Sequence, residues 1–138
     1  MVIETALMTY LLAQSGVTDL IAAGADGGKE IHFVQAPQNV NAPYLVVSKI
    51  SGPRVQSHEA NSHLAHPRFQ LTAFAATYAA AKGIIAAVQS ALQGYAGTMG
   101  GAGGVVVSAA FYEDETDLER GDSGLYGVAA DYIIWHYD

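Results

Sequence analysis

Three histidines, His58, His63 and His66, lie within nine residues of one another. Clustered imidazoles with flexible spacing are ligands that a zinc or nickel ion can use. The chain has no cysteine, however, and the only nearby carboxylate is Glu59, without HExxH or another recognised ligand spacing. We therefore interpret this segment as a polar loop between two strands and expect no metal. A small metal-dependent enzyme built on the three histidines is the weaker alternative.

Two other groupings contain residue types found in catalytic or phosphate-binding sites. Ser57, His58 and Glu59 combine a hydroxyl, an imidazole and a carboxylate, but adjacency in sequence does not make a triad, and no GxSxG motif is present. The glycine-rich segment 97–104 follows a predicted helix and leads into a strand, whereas phosphate-binding loops follow a strand and open a helix. We predict that the chain is not an enzyme and binds no cofactor.

Hydrophobic periodicity predicts the elements that hold these segments. Helical spacing of apolar residues predicts an amphipathic N-terminal helix over 3–14 and a long helix over about 78–93, with Thr77 as its N-cap. Gly83 within the long helix suggests close packing there. We predict one α+β domain over residues 1–138, a largely antiparallel sheet with the helices packed on it. Alternation and β-branched residues predict strands, which cover 31–34, 44–51, 68–74, 105–112 and 125–137.

The last predicted strand has apolar residues on both of its faces. Tyr132 lies on one face and Trp135 on the other, and we expect whichever face points inward to fill the core. The other face would then leave apolar area exposed in a monomer, which is a modest argument for self-association.

Two segments are predicted to be flexible connections. One is the loop at about 52–67, which is long for a hairpin, and the other is 94–104, where six of eleven residues are glycine. Neither segment has enough apolar side chains to bury itself alone, so both are candidates to become ordered against a partner.

Charge is distributed unevenly along the chain. The segment 112–122 has six acidic residues and one arginine, which gives −5 of the formal net charge of −7. Its simplest interpretation is a solvated loop that joins the last two strands. Between residues 43 and 111, four lysines and arginines and one glutamate give +3, so copies of the chain could meet basic middle to acidic end. Six lysines and arginines in total disfavour tight nucleic-acid binding.

Neither an export signal nor a membrane span is predicted. The apolar start, 1–13, has no lysine or arginine ahead of it and contains Glu4. No stretch approaches the ~18 consecutive apolar residues that a membrane-spanning helix requires. We expect no membrane partner, and the lack of cysteine fits a reducing cytoplasm.

Three segments in order carry a resemblance to a known family. They are PYLVVSKISG at 43–52, RFQLTAFAATYAAA at 68–81 and FYEDETDLERGDSGLYGVAADYIIWHYD at 111–138. With this layout the chain resembles, over residues 3–138, the tail completion or tail terminator proteins of long-tailed, siphovirus-type phages. The resemblance implies a single tail-terminator-like domain and a structural virion protein at the head-proximal end of the tail, assembled in the host cytoplasm.

The same resemblance implies the partners. They are further copies of the chain in a ring, usually of six, the tail tube protein whose polymerisation the ring ends, and the head connector or stopper protein. DNA only passes through the channel, and the acidic segment is either a subunit contact or a channel wall that repels phosphates. Another tube or connector subunit of the particle is the alternative. The candidate subunit or partner contacts are Arg54, His58, His63, His66, Arg68, Gly100, Gly101, Glu113, Asp114, Glu115, Asp117 and Glu119.

Overall fold

The computed structural model describes residues 1–56, 61–121 and 123–137, with only the backbone at 56, 61 and 62. In these ranges the chain forms three helices and eight strands. The elements in chain order are α1 (Ile3–Leu12), α2 (Ser15–Thr18), β1 (Ile31–Phe33), β2 (Tyr44–Ser51), β3 (Arg54–Gln56), β4 (Asn61–Ala65), β5 (Arg68–Ala75), α3 (Tyr78–Leu92), β6 (Gly97–Met99), β7 (Val105–Leu118) and β8 (Tyr126–Tyr137).

The strands form one mixed sheet. Its central strands β2, β5, β8 and β7 are antiparallel neighbours in that order, and β1 adds a parallel edge beside β2. The short β6 pairs with the start of β7, and the β3–β4 hairpin continues the sheet beside the end of β8. The predicted single α+β domain with a largely antiparallel sheet is confirmed.

The helix α3 covers one face of the sheet. Thr77 caps its first turn, because the Thr77 Oγ1 accepts a hydrogen bond from the Ala80 N–H at 3.1 Å. The helix packs against β5 and β8 through its buried stripe. Gly83 is exposed and no atom lies within 4 Å of a Cβ placed on it, so the suggestion of close packing there was wrong. The buried stripe comprises Ala81, Ile84, Ile85, Val88 and Leu92.

The inward face of β8 carries Tyr132, whose residue surface is 0% exposed, whereas Trp135 on the opposite face is half-buried. Tyr132 lies opposite Phe69 of β5, which is equally buried. The expectation that one of the two aromatic residues fills the core is therefore met by Tyr132.

The two segments predicted to lack secondary structure contain strands. β3 and β4 lie within 52–67, and β6 lies within 94–104. Each gains a ladder partner: β4 pairs with β8, which is distant in sequence, at Leu64 and Tyr137, and β6 pairs with the start of β7 across a short turn. Met99 of β6 is fully buried, which anchors the glycine-rich segment to the core.

The segment predicted as an acidic loop is largely strand. β7 runs through 113–118, and Asp114 to Leu118 pair with Asp131 to Gly127 of β8. Pairing with the apolar strand β8 holds the acidic sequence in an extended conformation. Charged side chains on an edge strand keep it from pairing indiscriminately, which suits this position in the sheet.

Candidate functional site

The histidines are not brought together as a metal site in the described part of the chain. His66 stacks on Trp135, with ring centroids 4.3 Å apart and an interplanar angle of 18°. His63 is exposed on β4, and His58 lies outside the described residues. Within those residues, no group of three or more His, Asp or Glu side chains could hold a metal ion. The alternative of a histidine metal enzyme gains no support from this arrangement.

Arg68, a predicted contact residue, is engaged within the chain. Its Nε and Nη2 donate to the Asp131 Oδ2 at 3.1 and 2.8 Å. The amide of Gln70 donates to the Asp131 Oδ1 at 3.2 Å. Asp131 is 9% exposed, so the Arg68 guanidinium neutralises a buried carboxylate. Sequence analysis missed this group because Asp131 lies 63 positions from Arg68 within an otherwise apolar strand.

Two of the acidic residues in β7 turn toward α3. Lys82 forms an ion pair with Glu115, and this hydrogen bond raises the pKa of Lys82. The Tyr78 hydroxyl donates to the Asp117 Oδ2 at 2.8 Å, which raises the pKa of Tyr78. Glu115 and Asp117 therefore fasten the far end of β7 to the start of α3.

The other predicted acidic contacts stay on the surface. Glu113, Asp114 and Glu119 are exposed, and none of the three forms an ion pair with another described residue. Among the described residues, the Asp114 Oδ1 accepts a hydrogen bond from the adjacent Glu115 N–H, at 2.9 Å. These three carboxylates are exposed and open to an external partner.

The two candidate glycines have different surroundings. Gly100 has φ +92° and faces α1, where an added Cβ would lie 2.7 Å from the Met1 Sδ and 3.0 Å from the Ala6 Cα. Gly101 is exposed, with nothing within 4 Å of such a Cβ. Gly100 thus permits packing on α1, whereas Gly101 lies on the surface.

A cleft of about 430 Å³ lies where α1 begins and β8 ends. Arg54, Lys49, Glu4 and His136 line it. Burial acts to raise the pKa of Glu4, but the ion pair and hydrogen bond with Lys49 together with a backbone hydrogen bond outweigh it, so the pKa of Glu4 is lowered. Burial lowers the pKa of His136, and the charges of Lys49 and Arg54 lower it further. We refer to this site as the basic cleft.

Of the basic cleft, sequence analysis identified only Arg54 as a contact. Its other charged groups come from α1, β2 and β8, which are far apart in sequence. No local motif joins them. The signal that existed was the excess of basic residues in the middle of the chain.

The sheet face opposite the helices carries an exposed apolar strip on β7 and β8. Phe111 and Val106 are 46% and 50% exposed, and Tyr137 is 47% exposed. Phe111 lies opposite Ile133 in the ladder, so the strip is continuous across the two strands. Apolar area of this kind on a small domain is typical of a contact surface.

Comparison with solved structures identifies the class of the fold. Seventeen chains match, and one of them belongs to the "Virion of native gene transfer agent (GTA) particle". It superposes with a TM-score of 0.77 at 14% identity, covering 99% of this chain and 95% of that chain. At this identity the likeness shows a shared fold with that chain.

The sequence itself identifies the family. The family model of tail completion protein gp17 matches residues 5–137, so the chain belongs to that family. No curated protein matches it by sequence. Family membership makes the chain a structural protein of the phage tail and a component of the virion, as the resemblance predicted. In the described part of the chain, no helix has the length and apolar composition to cross a membrane.

Proposed function

We propose that six copies of this chain form a ring at the head-proximal end of the tail tube. The ring ends tube polymerisation and provides the surface to which the head connector binds. The observation that carries this proposal is the tail completion family match, which spans residues 5–137. The shared fold with a chain of a gene transfer agent virion supports it.

The surfaces of the domain suit repeated self-association. A closed ring uses a heterologous contact, in which one surface of each copy meets a different surface of the next. The apolar strip containing Phe111 and Val106 offers area to bury, and the exposed Glu113 and Glu119 offer charge for a basic counterpart. The proposed function thus consists of binding to partners and closing a ring, and we propose no catalytic step.

DNA is proposed to pass through the ring without specific binding. The chain carries a formal net charge of −7 and only six lysines and arginines, of which Lys49, Arg68 and Lys82 form ion pairs within the chain. Carboxylates that face the channel would repel the phosphates and let the genome move. Tube and connector proteins are the proposed protein partners.

The direct test is polymerisation of the purified tail tube protein with and without this chain. We expect tubes that stop growing, each with a ring at one end in electron micrographs, and we expect only such tubes to bind filled heads. Unchanged tube growth would contradict the proposal. Incorporation of the chain along the tube wall would make it a tube subunit instead.

A further inference from the structure

Val34 has a strained backbone conformation at the end of β1. Its φ is +66°, a left-handed value that a β-branched residue rarely adopts. Hydrogen bonds hold the turn: the Val34 N–H donates to the Val47 carbonyl oxygen at 2.9 Å, and the Gln35 N–H donates to the Phe33 carbonyl oxygen at 2.6 Å. Strained residues of this kind persist where the surrounding structure holds them, and they cluster at functional sites.

The strained turn also presents apolar side chains to solvent. Val34 is 75% exposed and Phe33 is 45% exposed. Val34 separates two grooves, since it lines one of about 310 Å³ beside Phe69 and another of about 560 Å³ beside Phe74. An isolated chain therefore has both a strained backbone and exposed apolar surface at one residue, and a partner that covers Val34 would bury that surface.

Lys29 adds a positive charge beside this turn. It lies two positions before β1 and is exposed. Its Nζ donates to the Ile21 carbonyl oxygen at 3.2 Å and forms no ion pair with another described residue. The ammonium group of Lys29 is therefore open to a carboxylate of a partner. We refer to Lys29, Phe33 and Val34 together as the β1 edge.

The opposite side of the sheet has the complementary features. The apolar strip on β7 includes Phe111, which is 46% exposed, and Glu113 lies two positions further along the same strand. Glu113 is exposed and forms no ion pair with another described residue. Three strands separate β1 from β7, so the two lie on the order of 20 Å apart in one chain. The apolar strip therefore cannot cover the β1 edge of its own chain.

We propose that the β1 edge is the surface that receives the apolar strip of the neighbouring copy in the ring. This inference rests on the proposed ring. In the contact, Phe33 and Val34 pack on Phe111 of the next copy, and the Lys29 ammonium pairs with the carboxylate of Glu113. Because the two surfaces differ and lie on opposite sides of the sheet, the contact is heterologous, the type that repeats around a ring.

Replacement of Val34 separates binding from folding. Asparagine tolerates a positive φ and is polar, so Val34→Asn should raise the midpoint of thermal unfolding by about 3 °C. The same variant should form rings only at a roughly tenfold higher protein concentration. Leu12→Asn, at an exposed apolar position at the end of α1, should leave ring formation unchanged. A Val34→Asn protein that is more stable and forms rings as readily as the unmodified chain would overturn the proposal.

A charge exchange tests the pairing of Lys29 with Glu113. Lys29→Glu should weaken ring formation roughly tenfold, and adding Glu113→Lys should restore it. The matched control adds Gln89→Lys and Ser90→Lys instead, which restores the net charge at exposed positions on α3 and should not restore the ring. Equal rescue by the control would refute the contact. Rings that persist in Lys29→Glu while tube ends stay uncapped would assign the β1 edge to the tube protein and refute it as well.

A cysteine pair detects the contact in assembled tails, since the chain has no cysteine of its own. Gln35 and Glu113 are exposed, and Gln35→Cys with Glu113→Cys should give a ladder of covalent multimers after mild oxidation. The control, Gln35→Cys with Gln89→Cys, should give dimers at most. Intact rings without a ladder overturn the β1-edge contact and leave the proposed function standing. Absence of any ring in tails that contain the unmodified chain overturns both.

Discussion

Tyr132 holds a buried hydroxyl in the centre of the sheet. It has no hydrogen-bond partner among the described residues, and burial raises its pKa. Because an unpaired buried hydroxyl destabilises the folded state, Tyr132→Phe should raise the free energy of unfolding by about 1 kcal/mol.

The matched control for this prediction is Tyr10→Phe. The Tyr10 hydroxyl donates to the Ala91 carbonyl oxygen at 2.6 Å, so its removal should lower the free energy of unfolding by about 1 kcal/mol. Urea denaturation measures both variants. A Tyr132→Phe protein that is less stable than Tyr10→Phe would show that the Tyr132 hydroxyl has a partner after all.

Arg68 serves folding more directly than it serves partner binding. Arg68→Ala would leave the buried Asp131 carboxylate with only the Gln70 amide, and should lower the free energy of unfolding by about 1–3 kcal/mol. Gln89→Ala, which removes an exposed side chain of α3, should change it by less than about 0.5 kcal/mol. Equal stability of the two variants in thermal or urea unfolding would contradict the structural role of Arg68.

The free energy of unfolding should depend on pH because His136 is buried. Burial lowers its pKa below the ordinary 6.5, so below pH 6.5 the unfolded chain binds a proton that the folded protein does not. The free energy of unfolding should therefore fall as pH drops from 6.5 toward the folded-state pKa. Glu4, whose pKa is lowered from 4.5, acts in a separate, more acidic window.

Replacement of the imidazole checks this assignment. His136→Gln should flatten the loss of stability between pH 7 and 5, measured by urea denaturation at several pH values. Identical slopes in the His136→Gln variant and the unmodified chain would mean that another group causes the loss.

At the residue level, the sequence identified the charged groups that matter but not how they pair. The excess of acid near the C-terminus and of base in the middle was evident, and Arg54 was among the predicted contacts. Which of these charges are satisfied within the chain depends on strand register. That register brings Arg68 beside Asp131, and the packing of α3 brings Lys82 beside Glu115.

Among the elements, the glycine-rich segment 94–104 forms a tightly constrained turn and not a flexible connection. A Cβ on Gly104 would lie 2.0 Å from the Met99 carbonyl oxygen, so the turn between β6 and β7 must deform to admit a side chain. Gly104→Ala should lower the free energy of unfolding by about 1–3 kcal/mol.

A glycine-to-alanine substitution in α3 should have the opposite effect on the free energy of unfolding. Gly83→Ala adds a methyl group at an exposed helical position with nothing within 4 Å, and should raise the free energy of unfolding by about 0.5–1 kcal/mol. Thermal unfolding of the two variants measures the contrast. Equal effects of the two substitutions would show that the turn before β7 is not constrained.

The strands and helices that carry their own periodicity were predicted well. The bounds of β2 and the Thr77 cap of α3 agree with the structure, because alternation and capping are local properties. The strands β3, β4 and β6 were missed because pairing with another strand, and not local periodicity, makes a polar or glycine-rich segment extended. β4 pairs with the distant β8, and β6 pairs with β7 across a short turn. The acidic half of β7 was missed for the same reason.

In the whole molecule, the two ends of the β7–β8 hairpin have different surfaces. The basic cleft lies at one end of the β7–β8 hairpin and the acidic residues of 113–119 lie at the other. The sequence predicted the fold class and, through its resemblance, the family that the match over 5–137 confirms. It did not predict this polarity, because the cleft forms only when α1, β2, β3 and β8 meet.

Salt should weaken the proposed ring if charge holds the contact. Between 0.1 and 0.5 M sodium chloride, the Debye length falls from about 10 Å to below half of that, and partly exposed ion pairs weaken with it. The fraction of protein in rings should therefore fall over this range. Sedimentation velocity at several salt concentrations measures it, and an increase with salt would point to the apolar strip as the dominant contact.

The absolute mass of the assembled protein tests the central claim most directly. Light scattering on the purified chain, with electron micrographs of the same sample and of tube ends, gives the number of copies and their arrangement. We predict closed rings of six copies, in solution or on the tube end. Open-ended polymers, or single copies attached to tube ends, would contradict the proposal that this chain closes a ring to end the tail.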